Sequence, residues 1–159
     1  MNADLPDRSG AIVRPPLLYL GALAVGIAAE YVAPTSGFAF LASQARPWIG
    51  AALFAAGLTI VAGAFRLFSR AGTSIPVDKP TTAIVTSGPY RFSRNPIYIA
   101  LTAAYLGLAV AVDSLWAVVL LAAVLAVMRY GVIAREEAYL ERKFGAEYRA
   151  YKARVRRWL

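Results

Sequence analysis

Four apolar stretches decide what this chain can become: Pro16–Val32, Trp48–Phe68, Ile97–Val112 and Leu115–Ala134. An apolar helix needs about 20 residues to cross the hydrocarbon layer of a bilayer. The second and fourth stretches meet that length, and the first and third are marginal. With 59% hydrophobic residues, the chain is too apolar for an ordinary soluble domain. The expectation is an all-α, polytopic membrane protein with about four transmembrane helices in a single domain, residues 1–159. Asp113-Ser114 leaves almost no room between the last two helices, which predicts a tight antiparallel hairpin. Gly50, Gly57 and Gly63, among many alanines, predict small faces for close packing on the second helix.

The distribution of Lys and Arg gives the orientation. Between the first two stretches the basic residue is Arg46, and the turn between the last two carries Asp113. Between the second and third lie Arg70, Lys79, Arg91 and Arg94, with Arg66 at the helix end. After the fourth follow Arg135, Arg142, Lys143, Arg149, Lys152, Arg154, Arg156 and Arg157. The positive-inside rule then places both termini, loop 69–96 and tail 135–159 in the cytoplasm. The leader 1–14 carries Asp4 and Asp7 as well as Arg8 and Arg14, unlike a cleaved secretion signal. The first stretch therefore reads as a retained helix, with Glu30 near its outer interface. The dominance of Arg, Ala and Val points to a high-GC bacterium and hence to its inner membrane.

Cysteine and histidine are absent. That excludes a disulfide framework, a Cys/His zinc site, a thiol nucleophile and a Ser-His-Asp triad; no metal is expected. The net charge of +8 has two explanations. Nucleic-acid binding wants a soluble basic face with a base-reading element. Here the basic residues flank membrane helices, where anionic lipid suffices as the partner. The terminal Arg154-Val155-Arg156-Arg157-Trp158-Leu159 suits a headgroup layer.

Two polar motifs bracket the predicted hairpin. Before it runs Gly88-Pro89-Tyr90-Arg91-Phe92-Ser93-Arg94-Asn95-Pro96-Ile97-Tyr98; after it comes Glu136-Glu137. Asn95 and Pro96 have a structural explanation, as N-cap and first residue of the third helix. A helix start flanked by Arg91 and Arg94 also suits an anionic group, and Tyr90 and Tyr98 can stack on a ring or face a cation. Glu136-Glu137 can hold an ammonium or can be a solvated helix face. Further on, Leu140, Phe144, Tyr148, Tyr151 and Val155 recur every three or four residues as an apolar stripe, with Gly145 placed to break it. Such a tail can anchor to the membrane or fold back as a lid over the loop.

Taken in order, Val85-Thr86-Ser87-Gly88-Pro89-Tyr90-Arg91, Arg94-Asn95-Pro96-Ile97-Tyr98, Glu136-Glu137, Leu140, Phe144-Gly145, Glu147-Tyr148, Tyr151 and Val155 carry a resemblance. From about Gly63 onward the chain resembles the isoprenylcysteine carboxyl methyltransferase and phospholipid methyltransferase superfamily of integral membrane enzymes. The resemblance implies S-adenosyl-L-methionine bound between loop and tail, with S-adenosyl-L-homocysteine as product. It implies cofactor contacts from Gly88, Pro89, Tyr90, Arg91, Arg94, Asn95, Pro96, Tyr98, Glu136 and Glu137, with Arg94 and Glu137 catalytic. Many members carry Arg-His-Pro where this chain has Arg94-Asn95-Pro96. Asn cannot take up a proton at neutral pH, so that position binds or caps and is not a base.

The expectation is a lipophilic methyl acceptor that enters sideways from the bilayer, with the cofactor entering from the cytoplasm. A carboxylate or thiolate acceptor needs no base, whereas an amine must shed a proton, with Glu137 or a tyrosine to receive it. An isoprenoid acid, a prenylated thiol, a phospholipid amine and a small hydrophobic thiol all stay open. Two other readings stand beside it. Membrane sterol-type reductases share a similar Arg-x-Pro-x-Tyr helix start and use NADPH, whose phosphate suits Arg91 and Arg94. A non-catalytic membrane protein of the same fold is the other.

Overall fold

The computed structural model describes residues 7–75 and 80–159; Asp4 and Lys79, which entered the charge argument, lie outside them. Among the described residues there is no strand. Helix α1 spans Pro15–Val32, α2 Ala45–Arg70 and α3 Pro96–Ala111. Helix α4, Leu115–Val127, continues through a π-helical turn at Met128–Ile133 into α5, Ala134–Phe144, and α6 spans Ala146–Arg154. Among the described residues, three helices are long and apolar enough to cross a membrane: Pro15–Val32, Ala45–Arg70 and the continuous Leu115–Phe144. Large apolar side chains such as Leu17, Leu20, Leu58, Phe65 and Val119 stand more than half exposed, as a lipid-facing surface requires. This is a polytopic, all-helical membrane protein.

Two boundaries differ from the sequence expectation. The fourth stretch does not end at Ala134, because nothing between Val127 and Phe144 breaks a helix. The first interruption is Gly145, whose φ of 53° is a left-handed conformation that glycine adopts without a Cβ penalty. Residues 135–144 are thus a rigid extension of the span. Helix α3, with 16 residues, covers about 24 Å, short of the ~30 Å hydrocarbon layer. Its first residues start below the end of the longer helices around it.

Small residues set the packing. A Cβ added at Gly57 would meet the Ala100 carbonyl oxygen at 2.5 Å, and one at Gly107 would meet that of Gly50 at 2.6 Å. So α2 and α3 touch backbone to backbone, and van der Waals contact is the main force between helices in lipid. Gly26 meets Ala117 in the same way, which seats α1 on α4. Gly63 does not take part; nothing lies within 4 Å of where its Cβ would be. The α3–α4 hairpin forms as expected, with Asp113 at φ 57° in its turn. The Asp113 carboxylate accepts from Phe38 N at 2.9 Å and pairs with Arg46, which ties the α1–α2 connection to the hairpin. Ser114 Oγ caps α4 at Ala117 N and donates to the Gly26 carbonyl, both at 3.2 Å.

The main core lies between α1, α3 and α4, around Tyr19, Tyr105, Leu121, Val124 and Met128. Its buried hydroxyls are satisfied: Tyr105 donates to the Ala117 carbonyl at 2.7 Å, and Tyr19 bonds Thr102 at 2.8 Å. A smaller cluster of Ala64, Phe68, Val85 and Tyr90 carries the loop at the opposite end from Asp113. The leader docks there too. Ile12 N donates to the Gly131 carbonyl in the π-turn at 3.1 Å, and Arg135 donates to the Gly10 carbonyl at 3.1 Å. At that end all the chemistry-bearing residues meet.

Candidate active site

The loop is built from its turns upward. Gly88, at φ 58°, opens a single 3₁₀ turn, Gly88–Arg91, which sets Tyr90 edge-on against Phe68 with ring centroids 5.5 Å apart. Ser93 Oγ accepts from Asn95 N at 3.0 Å and donates to the Arg157 carbonyl at 3.2 Å. Pro96 is the first residue of α3, as predicted, but Asn95 makes no side-chain cap. Its Nδ2 instead donates to the Arg157 carbonyl at 2.9 Å. The residue placed to start a helix holds the chain's end in place.

Arg94 is the hub. Its backbone N donates to the Arg156 carbonyl at 2.9 Å, its Nη1 to the Lys152 and Val155 carbonyls at 3.0 Å, and its Nη2 to Glu137 Oε1 at 2.8 Å. Its Nε is buried and has no partner. Tyr151 Oη donates to the Tyr90 carbonyl at 2.8 Å, so the C-terminal end of α6 is stitched to the loop. The tail folds back over the loop. The terminal Arg154–Leu159 segment runs as a strap across it, through the Arg156 and Arg157 carbonyls.

The adjacent carboxyls have unlike surroundings, and both lie in α5, beyond the apolar span. Glu137 receives Arg94 on Oε1 and Arg157 on both oxygens, at 3.0 and 2.6 Å. Burial pushes its pKa up, but the Arg157 and Arg94 guanidiniums outweigh it and hold the carboxyl below its usual range. Glu136 accepts one hydrogen bond, from Tyr98 Oη at 2.6 Å, and pairs with no cation among the described residues. Burial first, and then the Glu137 charge, push it up to about 8 despite the tyrosine. At neutral pH Glu136 is mostly protonated and Glu137 is a carboxylate. Of the pair expected to hold a cation, Glu137 has both oxygens engaged by arginine, whereas Glu136 has one tyrosine partner.

A cavity of about 60 Å³ lies between loop and tail, and Tyr90, Arg94, Asn95, Tyr98, Glu136 and Glu137 all line it. Gly88, Pro89, Arg91 and Pro96 do not. The first two shape the turn, Pro96 starts the helix, and Arg91 stands exposed. Tyr148, fully buried, forms another part of the wall, and burial raises its pKa, as it does that of Tyr90. The cavity shares Phe68, Ile75, Ile97 and Tyr98 with an open, mostly apolar groove of about 780 Å³, lined on its far side by Leu17, Val61 and Phe65 of α1 and α2. Sequence reasoning missed Arg157 and Tyr139. Arg157 is one of eight basic residues after Ala134, and nothing in their order singles it out. Tyr139 Oη accepts from Thr81 N at 3.1 Å and donates to Asp7 at 2.8 Å.

Residues 45–147 match the phospholipid methyltransferase family. The chain belongs to this family. The matched region takes in α2, the loop, the hairpin and both carboxyls, and stops before most of α6 and the strap. A phospholipid methyltransferase family member is thus an integral membrane protein of a methyltransferase class. A protein of Haemophilus influenzae, described as uncharacterized, is 78% identical over 27 residues, which are 17% of this chain and 43% of that protein. The match therefore spans less than half of that relative. No solved structure matches this family member.

Proposed function

We propose that the protein transfers a methyl group from S-adenosylmethionine to a lipophilic acceptor at the cytoplasmic face of a bacterial inner membrane. The observation that carries this reading is Glu136: a buried carboxyl at a cavity wall, bonded to one tyrosine and, among the described residues, paired with no cation. Burying a carboxylate this way is unfavourable, so the group holds its proton until a positive group arrives to match the charge. The donor set fits the molecule. Glu136 suits its ammonium or sulfonium, the unpartnered Arg94 Nε suits its carboxylate, and Tyr90 and Tyr148 offer aromatic walls to its base. The cavity of about 60 Å³ takes only water-sized molecules in this shape. Admission then requires the strap and α6 to draw back, and Gly145 is the place where they can swing.

When bound, S-adenosylmethionine supplies an electrophilic methyl group on a sulfonium. The chain's part is to bind, align and exclude water, which for a well-oriented in-line transfer is worth about 7–11 kcal/mol of barrier. Arg94 and Arg157 fix Glu137 and, through it, the wall between loop and tail; Glu137 acts as a clamp. Glu136 faces the positive charge. For an amine acceptor, Glu136, once ionised opposite the cofactor's positive charge, is the carboxylate not already held by two arginines and so the candidate proton acceptor. The adjoining groove between α1 and α2 gives a lipophilic acceptor an apolar approach that ends at Tyr98.

The test is calorimetric titration of detergent-purified protein with S-adenosylhomocysteine, with NADPH in parallel. Micromolar binding of the first alone is the expected result. Binding of NADPH instead moves the protein to reductase chemistry, and binding of neither to a folded sample overturns the reading.

A further inference from the structure

On the other side of the molecule, α3 and α4 form a second groove of about 660 Å³. Ile99, Leu106, Leu125 and Ala126 line it, and its loop-side end carries Arg129 and Trp158. Arg129 lies in the π-helical turn and is exposed. Its guanidinium stacks 5.5 Å from the Tyr130 ring centroid and forms no ion pair with any described residue. It interrupts the most apolar helix of the protein. At 1.5 Å per residue it sits about 21 Å along the helix from Leu115, inside a hydrocarbon layer of ~30 Å. A charge at that depth with no counter-charge among the described residues is costly. A long side chain can reach from there to the headgroup layer, where its natural partner is a phosphate.

We propose that this groove holds one anionic phospholipid, with an acyl chain along Ile99, Leu106 and Leu125 and its phosphate on Arg129. Arginine and phosphate match in charge and in fork geometry, and Trp158 and Tyr130 stand where aromatic residues favour the headgroup level. A second copy of the chain is a poorer occupant. A two-fold contact through this groove would set one Arg129 against another. The lipid site lies on a different face from the cavity at Glu136 and does not depend on the methyl-transfer reading.

Native mass spectrometry of protein in mild detergent, titrated with phosphatidylglycerol or with diacylglycerol of the same chains, tests this. The wild type is expected to take up a first phosphatidylglycerol about fivefold more tightly than diacylglycerol, the effect of one basic group near a membrane surface. Arg129→Gln should remove that difference. Ala126→Trp, which fills the groove and keeps the charge, should block the first lipid. Equal phosphatidylglycerol binding by wild type and Arg129→Gln overturns the proposal, as does a dimer that occupies the groove in place of lipid. If Arg129→Gln does not fold, undiminished lipid on Ala126→Trp overturns it equally.

Discussion

Arg157 reaches back twenty positions along the chain to close its guanidinium on both oxygens of Glu137, at 3.0 and 2.6 Å. This fork joins the end of the strap to the helix that carries both carboxyls. Charge-assisted pairs of this kind are the strong hydrogen bonds of proteins. Arg157→Ala should therefore lower stability by about 1.5–3 kcal/mol, the range for a hydrogen bond to a charged group, with Arg157 being only partly buried. Thermal unfolding in detergent checks it. Arg149→Ala, on the exposed face of α6, should change nothing measurable.

The two neighbouring carboxyls should fail in different ways. Glu136→Gln keeps an acceptor for Tyr98 and removes the negative charge available to a cation. It should weaken S-adenosylmethionine binding on the order of tenfold or more without lowering the melting temperature. Glu137→Gln breaks the two-arginine clamp and should lower the melting temperature first. Calorimetry and thermal unfolding on the same two samples separate them; a Glu136→Gln protein that binds as wild type would remove Glu136 from the site.

Glu136 also predicts a pH dependence. Its folded pKa is raised from 4.5 to about 8 by burial and then by the Glu137 charge. Between those values the folded state holds the proton more tightly than the unfolded chain does. Its contribution to stability is then fully present below about 4.5 and is lost as pH rises through about 8. The difference in melting temperature between wild type and Glu136→Gln should therefore shift against the wild type over that window. A cationic ligand acts in the opposite sense, binding more tightly as pH rises to about 8 and releasing a proton. Titrations in buffers of different ionisation enthalpy read that proton directly.

Glycines that read alike in the sequence should respond oppositely to substitution. Gly57→Leu drives a side chain into the Ala100 and Ala104 backbone and should cost at least the 1–3 kcal/mol typical of overpacking, roughly. Gly63→Ala meets open space and should be neutral or stabilising by up to about 1 kcal/mol, the helix-propensity difference. Unfolding of the two variants in denaturing detergent compares them.

The membrane architecture was legible in the sequence because hydropathy over about 20 residues is set by the solvent, whatever the helix packs against. Pro96 at the start of α3 and Gly145 at the end of α5 were legible because each has a backbone reason. What was not legible depended on partners distant in sequence. Asn95 looks like a cap until the Arg157 carbonyl arrives to take its amide. Gly63 is indistinguishable from Gly57 until α3 is laid alongside. Glu136 and Glu137 share a neighbourhood in sequence, but successive helix positions point about 100° apart. One therefore meets two arginines and the other a tyrosine.

The unbroken run from Leu115 to Phe144, 30 residues, is about 45 Å long and is held at its Asp113 end by Arg46 and Phe38. It is in effect a lever. Glu136 rides about 32 Å from that fulcrum, so a tilt of 5° carries it on the order of 3 Å relative to an element that stays still. Helices that span a membrane tilt to match its thickness. Turnover in the proposed methyl transfer should consequently change between vesicles of short-chain and long-chain lipids even where the headgroups are the same, which would make the bilayer's mechanical state a parameter of that proposed reaction.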